Sequence, residues 1–206
     1  MRLGIFGGTF DPIHNGHMAI ARCALDEARL DRVLMMPSGI SYLKAGTHVS
    51  PGEVRAQMTR LAIEGCEGLA FDDRELRRRG NTYTCDTIEE LRAERPEDEL
   101  FFILGADSLL SIDRWKDPHV IYEGCTLLAA FRPDCSRDEV MAEAERLRGL
   151  GARIEFLSCP LLDISSTDIR TARMQGADIA DLVPLPVRDY ILEHDLYKGQ
   201  QREIRM

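Results

Sequence analysis

The stretch LGIFGGTFDPIHNGH, residues 3–17, decides the fold of this chain. Its first four residues, Leu3 to Phe6, are an apolar run that ends in Gly7-Gly8. A short continuous apolar run that opens into a glycine turn is typical of a buried parallel strand. Apolar residues at helical spacing then follow from Gly16 to Leu30. The stretch therefore predicts a strand, a tight turn and a helix.

The rest of the chain continues this alternation of strands and helices. Further strands are predicted at Arg32–Met36, Leu69–Asp73, Leu100–Leu104, Thr126–Phe131 and Arg153–Leu157. Helices are predicted at Gly16–Leu30, Pro51–Glu64, Thr84–Arg95, Asp138–Leu150, Asp168–Met174 and Pro186–His194. Continuous apolar strands between helices predict an α/β fold, a doubly wound parallel sheet with helices on both faces. In such a sheet the polar clusters that follow the strands meet at one edge, where ligands bind.

Length and composition limit the class of protein. The chain has 206 residues, 44% of them hydrophobic and 30% charged, and carries a formal charge of −9. We expect one domain over residues 1–206, with a small C-terminal helical part at about 160–195 and a tail at 196–206. An acidic surface repels polyanions, so nucleic acid is not an expected partner, whereas small phosphorylated ligands are held by local donors.

Targeting signals are not apparent in the sequence. The sequence contains no run of about eighteen apolar residues, so no membrane span is predicted. The N-terminus, MRLGIFGGTF, does not resemble a signal peptide. The six cysteines lack C-x-x-C spacing, which favours reduced thiols over a zinc or disulfide framework. We therefore expect a cytoplasmic protein with small-molecule substrates. The sequence leaves the oligomeric state open, a homo-oligomer included.

The turn after the first strand carries the strongest chemical signal. Gly7 and Gly8 let the backbone approach a phosphate without a Cβ in the way. His14 and His17 are three residues apart at the start of a helix, so both imidazoles face one side. The helix N-terminus adds free N–H groups and partial positive charge. This combination predicts a receptor for a polyphosphate.

The two histidines have two other interpretations, as metal ligands or as solvated residues of a turn. Two imidazoles at this spacing can ligate a metal ion, but neither a nearby cysteine nor an H-E-x-x-H pattern supplies a third ligand. Two solvated histidines in a turn would leave the glycines after a strand unexplained. The phosphate interpretation accounts for all of these residues together.

Two motifs resemble those of a known family. GGTFDPIHNGH, residues 7–17, resembles the signature of the nucleotidyltransferase superfamily, which shares its H-x-G-H with class I aminoacyl-tRNA synthetases. ISSTDIR, residues 164–170, resembles the I-S-S-T-x-I-R of nicotinate or nicotinamide mononucleotide adenylyltransferases. The segments 80–87, 102–107 and Trp115-Lys116 are also similar to the bacterial nicotinate mononucleotide adenylyltransferases, in the same order along the chain.

The resemblance implies a Rossmann-like fold and a reaction. The implied enzyme condenses nicotinate mononucleotide with ATP to give nicotinate adenine dinucleotide and pyrophosphate, in NAD biosynthesis, with Mg²⁺ bound through the ATP phosphates. The implied catalytic residues are His14, His17 and Arg170. The implied ATP-binding residues are Gly7, Gly8, Thr9, Phe10, Gly16, Gly105, Asp107, Ser165, Ser166 and Thr167. The implied mononucleotide-binding residues are Lys44, Thr84 and Trp115.

Several of these positions have a second interpretation. Ser165 to Thr167 can cap a helix as well as leave N–H groups for an anion. Asp107 can cap a helix, contact a ribose or help to hold the metal. A single tryptophan is usually a core residue, but the charged neighbours of Trp115 place it in a polar loop. The resemblance implies that Trp115 stacks on the pyridine ring, with Thr84 near the same ring.

The loop after the second strand departs from the family pattern. Members commonly carry P-x-x-x-P-H-K there, whereas this chain reads PSGISYLK at residues 37–44. Lys44 can still supply the cation, and His48 can share or replace it. The Arg77-Arg78-Arg79 run is more typical of a solvated surface than of a substrate clamp.

The sequence also allows functions other than the implied one. Nicotinamide mononucleotide or phosphopantetheine are alternative substrates, and a non-catalytic nucleotide sensor is an alternative of a different class. A tRNA synthetase is disfavoured by the small size, the acidic charge and the lack of a K-M-S-K-S-like loop. The choice between the acid and the amide mononucleotide rests on the resemblance, because it depends on backbone N–H groups whose direction the sequence does not show.

Overall fold

The computed structural model describes residues 1–41, 49–131, 136–159 and 162–198. Within these ranges the strands are β1 (Arg2–Gly8), β2 (Arg32–Pro37), β3 (Ile40–Ser41), β4 (Leu69–Phe71), β5 (Asn81–Thr82), β6 (Glu99–Gly105), β7 (Thr126–Ala130) and β8 (Arg153–Leu157). The helices are α1 (Asn15–Glu27), α2 (Gly52–Ile63), α3 (Arg74–Arg77), α4 (Thr84–Glu94), α5 (Ala106–Leu109), α6 (Pro118–Gly124), α7 (Arg137–Gly149), α8 (Ser166–Met174) and α9 (Leu185–Glu193). A 3₁₀ turn covers Ile112–Arg114.

Six of these strands form one parallel sheet with the order β4-β2-β1-β6-β7-β8. The chain moves outward from β1 to β2 and β4, then returns to β6 on the other side of β1. The order therefore reverses between β1 and β6, whose carboxyl ends carry Gly7-Gly8 and Gly105. Ligands of such sheets bind at this switch point. The predicted α/β fold with a doubly wound parallel sheet is confirmed.

The sheet is buried on both faces by two separate hydrophobic clusters. Alternate residues of one strand enter different clusters: Leu3 and Ile5 of β1 belong to one, and Phe6 belongs to the other. Each of these three side chains is at most 6% exposed. Because both faces are covered, the strands need apolar residues at successive positions. This explains the continuous apolar runs in the sequence.

The long elements agree with the predicted ones, and the short elements were missed. The predictions did not include β3, α3, β5, α5 and α6, which have between two and seven residues. Elements of this length contain too few residues for a hydrophobic period to appear. Within the residues that the structure describes, no helix is long and apolar enough to span a membrane.

Gly4 lies where the sheet leaves no room for a side chain. A Cβ at this position would lie 2.8 Å from Cδ1 of Leu30 and 2.9 Å from Cγ2 of Val33, whereas a Cβ on Gly149, at the end of α7, would meet no atom within 4 Å. We expect Gly4→Ala to lower the free energy of unfolding by about 1–3 kcal/mol through overpacking. Gly149→Ala, the control, should be neutral or stabilising by up to about 1 kcal/mol. Urea unfolding measures both, and equal effects would contradict the packing of β1.

Candidate active site

The two histidines of the first motif bind each other's backbone. His14 is the N-cap of α1, and its Nδ1 accepts a hydrogen bond from the backbone N–H of His17 at 3.3 Å. The Nδ1 of His17 accepts in turn from the backbone N–H of His14 at 3.2 Å. The two rings stack with centroids 3.6 Å apart. Because each Nδ1 is an acceptor, a neutral ring carries its proton on Nε2 and is a hydrogen-bond donor there.

Phe10 and two glycines support this histidine pair. Phe10 is only 1% exposed, and its ring lies edge-on to the ring of His17, with centroids 5.0 Å apart. A Cβ on Gly8 would lie 2.6 Å from Cε1 of Phe10, and a Cβ on Gly16 would lie 3.0 Å from Nδ1 of His14. The side chain of Phe10 is thus packed beneath the imidazoles, and both glycines allow the close approach of an aromatic ring.

A buried arginine of α2 holds the turn after β1 in place. Arg55 is 4% exposed, and its guanidinium donates to the backbone carbonyls of Thr9 (2.8 Å), Ser38 (2.8 Å) and Ser50 (3.0 Å). Burial lowers the pKa of Arg55, and the nearby charge of Asp11 opposes this effect. The same side chain therefore fixes the glycine turn and both flanks of the loop that starts after β2.

Asp11 is the buried counterpart of Arg55. Its carboxylate accepts hydrogen bonds from the hydroxyl of Tyr197 at 2.5 Å and from the backbone N–H of Ser50 at 3.0 Å. Burial and the bond to Asp11 raise the pKa of Tyr197, which keeps this phenol protonated. The chain after α9 thereby returns to the first motif, although Tyr197 lies in the predicted tail.

The second motif lies against the first. Ser165 is the N-cap of α8, and its Oγ accepts from the backbone N–H of Asp168 at 3.1 Å, as the predicted cap requires. Ser166 donates to the carbonyl of Pro12 at 2.9 Å, and Arg170 donates to the carbonyl of Asp11 at 2.7 Å. A second nitrogen of Arg170 donates to Thr167 Oγ1 at 3.2 Å. The N-terminus of α8 and Arg170 thus adjoin the turn that leads to the histidines.

A cleft opens at the switch point, beside this double motif. Its empty volume is about 870 Å³, which includes open solvent at the mouth. Glycines and Thr9 from the end of β1 form one wall, and residues from β5, α4 and the loop after α5 form the other. The principal lining residues are Gly7, Gly8, Thr9, Ser38, Glu75, Thr82, Tyr83, Thr84, Phe102, Trp115 and Lys116.

The wall formed by α4 presents a helix N-terminus to the cleft. Thr84 is the first residue of α4, and the side chain of the N-cap residue, Tyr83, makes no capping hydrogen bond. The backbone N–H groups of a helix's first turn favour a negative group. Lys116 lies with its Nζ 4.6 Å from the centre of the Tyr83 ring and 3.0 Å from Oδ1 of Asp86. Sequence reasoning had not assigned a role to Lys116.

Trp115 is both a packing residue and a wall of the cleft. Its ring lies edge-on to Phe102, with centroids 6.0 Å apart and planes at 88°. Among the residues that the structure describes, no hydrogen-bond partner reaches its buried Nε1. One part of the indole therefore packs on the core while another part lines the cleft.

Some of the remaining predicted site residues lie at the end of β6, and the others lie outside the described residues. Gly105 ends β6 and is the N-cap of α5, so Asp107 lies in the first turn of that helix and does not cap it. Asp107 is exposed at the carboxyl edge of the sheet, where a ribose or a metal-bound phosphate could contact it. Lys44 and His48 lie outside the described residues.

Metal ligation by the protein alone has little support in the described ranges. Across residues 1–41, 49–131, 136–159 and 162–198, no group of three or more His, Cys, Asp or Glu side chains could hold a metal ion. The interpretation of His14 and His17 as ligands of a protein-held metal therefore gains nothing from the structure. A divalent ion at this edge would need oxygen ligands from a bound phosphate chain.

A doubly wound sheet with an H-x-G-H helix entrance at its switch point defines the class of the nucleotidyltransferases. In agreement, the family model described as "Cytidylyltransferase-like" matches residues 5–172. A protein named "Probable nicotinate-nucleotide adenylyltransferase" from Clostridium tetani is 38% identical over 195 residues, which cover 94% of this chain and 98% of that protein. A protein of the same name from Dehalococcoides mccartyi is 40% identical, covering 96% and 97%. This chain belongs to the nicotinate-nucleotide adenylyltransferase family.

Solved structures agree on the fold. The nicotinic acid mononucleotide adenylyltransferase of Plasmodium falciparum, complexed with APC, superposes with a TM-score of 0.76 at 19% identity, covering 95% of this chain and 96% of that one. A second structure of that enzyme, complexed with NaAD, gives the same TM-score at 18% identity. At this identity the likeness establishes the shared architecture.

We expect Arg55→Met to destabilise the protein strongly. The substitution leaves three backbone carbonyls without their donor and Asp11 without its opposite charge, so the free energy of unfolding should fall by about 3 kcal/mol or more. Arg60→Met is the control, because Arg60 lies on the same helix, is half exposed, and has only an ion pair with Asp73 at 3.9 Å and a contact with the face of the Phe71 ring to lose among the described residues. Its cost should stay within about 1 kcal/mol. Denaturant unfolding compares the two, and equal losses would contradict the role given to Arg55.

Proposed function

We propose that this chain joins nicotinate mononucleotide to ATP, giving nicotinate adenine dinucleotide and pyrophosphate. One observation carries the proposal. An anion-receiving turn with two histidines and a cleft with an aromatic wall lie at the same edge of the sheet and meet at Gly7, Gly8 and Thr9, which follow the buried part of β1. A polyphosphate fits the first part and a flat ring fits the second. The family membership and the motif order support the same reaction.

The reaction is a nucleotidyl transfer without a covalent intermediate. A phosphate oxygen of the mononucleotide attacks the α-phosphorus of ATP, a new P–O bond forms, and the bond between the α-phosphorus and the bridging oxygen breaks. That oxygen leaves with its electron pair on pyrophosphate. The nucleophile is already an anion near neutral pH, so a general base is not required. Catalysis then consists of positioning and of stabilising the charge on the leaving group.

The proposed charge-stabilising groups come from both motifs. His14 and His17 donate from Nε2, because each Nδ1 is already an acceptor. Arg170 provides a cation at a fixed place, because its guanidinium is held by the carbonyl of Asp11. The N-terminus of α8 adds oriented N–H groups and positive potential. At the N-terminus of α1 the N–H groups of Asn15 and His17 are already bonded to the carbonyl of Leu182 and to Nδ1 of His14, so this end contributes mainly its positive potential. We assign Gly7, Gly8, Thr9, Gly16, Gly105 and Ser165 to Thr167 to the surroundings of ATP.

We further propose Mg²⁺ as the ion that accompanies ATP. Mg²⁺ keeps several waters and needs only one or two protein carboxylates when phosphates supply the other ligands. The described residues fit this demand, since they present the exposed carboxylate of Asp107 at the edge of the sheet. When bound, the ion would neutralise charge on the phosphate chain.

The other wall of the cleft is assigned to the mononucleotide. We propose that the indole of Trp115 stacks on the pyridine ring and that the first turn of α4, near Thr84, faces its carboxylate. An amide at this place would leave a donor of the helix start opposite a second donor. The geometry therefore favours the acid over the amide.

Pyrophosphate release tests the proposed reaction. We expect release from MgATP with nicotinate mononucleotide, and a kcat/KM at least about tenfold lower with nicotinamide mononucleotide because of one unmatched donor. Phosphopantetheine should give no release, and neither should assays in which a chelator removes the divalent ion. Release with phosphopantetheine alone would overturn the substrate assignment. ATP binding without release from any substrate would favour a nucleotide sensor.

The histidine pair can be tested by removing one donor. His17→Ala should lower kcat by about 10²–10³-fold, because one charge-stabilising donor is lost. His119→Ala is the matched control, since His119 is exposed on α6. Initial rates at saturating substrates measure both variants after circular dichroism has verified folding. A folded His17→Ala variant with the wild-type kcat would contradict the assignment of His17 as a charge-stabilising donor.

The single tryptophan gives a direct binding signal. Trp115 is the only tryptophan of the chain, so stacking of a pyridine ring on it should quench most of the intrinsic indole fluorescence. We expect saturable quenching by nicotinate mononucleotide and little change with ATP alone. Trp115→Phe supplies the blank and should raise the KM for the mononucleotide only slightly. Quenching by ATP in place of the mononucleotide would reverse the assignment of the two parts of the site.

A further inference from the structure

A second buried charge lies in the site, on the side assigned to the mononucleotide. Glu75 belongs to the one-turn helix α3, is 8% exposed and lines the cleft. Its carboxylate accepts a hydrogen bond from Thr87 Oγ1 at 3.0 Å. Burial raises the pKa of Glu75, and Thr87, the charge of Arg78, Thr82 and Gly39 oppose this effect. A buried carboxylate is tolerated only with such compensation.

The hydrogen bond from Thr87 has a fixed direction. Nη1 of Arg78 donates to Oγ1 of Thr87 at 3.1 Å, so the hydroxyl oxygen is already an acceptor. The hydroxyl proton has Glu75 as its nearer acceptor at 3.0 Å, and the carbonyl of Tyr83 lies farther away at 3.4 Å. A carboxylate can accept all of these bonds because it has only acceptor sites. A glutamine of the same shape would place an amide N–H opposite one of the donors.

Glu75 joins three separate segments that line the cleft. Gly39 follows β2, Thr82 lies in β5, and Thr87 lies one turn into α4. The contact at Gly39 is close, since a Cβ there would lie 2.4 Å from the backbone oxygen of Glu75 and 2.5 Å from Cγ2 of Thr82. Glu75 therefore links the two segments, because its backbone packs against Gly39 after β2 while its carboxylate binds Thr87 in α4.

We propose that Glu75 is a positioning residue for the mononucleotide, acting through the segments that it joins. The carboxylate holds the first turn of α4 and the Thr82–Thr84 wall at the spacing and direction that receive the pyridine ring and its carboxylate. We expect the ATP side not to depend on Glu75, because other residues hold the turn that leads to the histidines: Arg55 donates to the carbonyl of Thr9, and Arg170 donates to the carbonyl of Asp11. This inference rests on the proposed function, since it concerns the same substrate.

The test compares Glu75→Gln with Glu90→Gln. Glu90 is paired with Arg78 at 2.7 Å on the exposed side of the same network, so its variant controls for a general disturbance of α4. We expect Glu75→Gln to raise the KM for nicotinate mononucleotide about tenfold, while kcat and the KM for MgATP change less than about twofold. Glu90→Gln should leave all three quantities unchanged. Steady-state pyrophosphate release with each substrate varied in turn measures them.

A second pair of variants covers the case in which Glu75→Gln does not fold. Thr87→Val removes the donor to Glu75 with little change of shape, and Thr87→Ser keeps the hydroxyl. A raised KM for the mononucleotide in the valine variant, with the wild-type KM in the serine variant, supports the proposal.

The outcomes separate this inference from the proposed function. An active wild type whose KM for the mononucleotide is unchanged by both Glu75→Gln and Thr87→Val overturns the positioning role alone. An equal rise in the two substrates' KM values also overturns it, since that result indicates a general structural effect. A wild type that releases no pyrophosphate with nicotinate mononucleotide overturns the proposed function instead.

Discussion

The site depends on one buried guanidinium. Arg55 binds the carbonyls of Thr9, Ser38 and Ser50, which belong to the turn after β1, the end of β2 and the approach to α2. Backbone carbonyls in turns lack the partners that a sheet or helix supplies, and burying them without a donor is costly. A single planar fork with several donors satisfies three of them at once. The glycine turn can therefore remain open to a ligand on one side while its other side is fixed.

Two buried charges of opposite sign, Arg55 and Glu75, hold different parts of the site. Arg55 donates to carbonyls on the phosphate side, and Glu75 accepts from the hydroxyl of Thr87 on the side of the cleft that α4 forms. Each charge is compensated locally, Arg55 by Asp11 and Glu75 by Arg78. Both carry the cost of burial, which is acceptable where a fixed geometry is needed. The two halves of the cleft can thus be perturbed one at a time.

Much of the fold could be predicted because it depends on side-chain patterns. The apolar strands are buried on both faces, and Ser165 caps α8 as the motif indicated. Arg55 escaped prediction because its partners are backbone carbonyls, which every residue type possesses. Glu75 stands in DDRELRRR, residues 72–79, where charge alone favours a solvated surface. Tyr197 follows the last helix, and its bond to Asp11 spans 186 positions, so no local pattern reports it.

The most direct test of the account is a crystal structure of the protein with nicotinate adenine dinucleotide bound. We expect the pyridine ring on Trp115, its carboxylate at the start of α4, and the phosphates at the turn that leads to His14 and His17. A reversed ligand, with the adenine on Trp115 and the pyridine beside α8, would contradict the division of the site. A dinucleotide bound away from the edge between β1 and β6 would contradict the account as a whole.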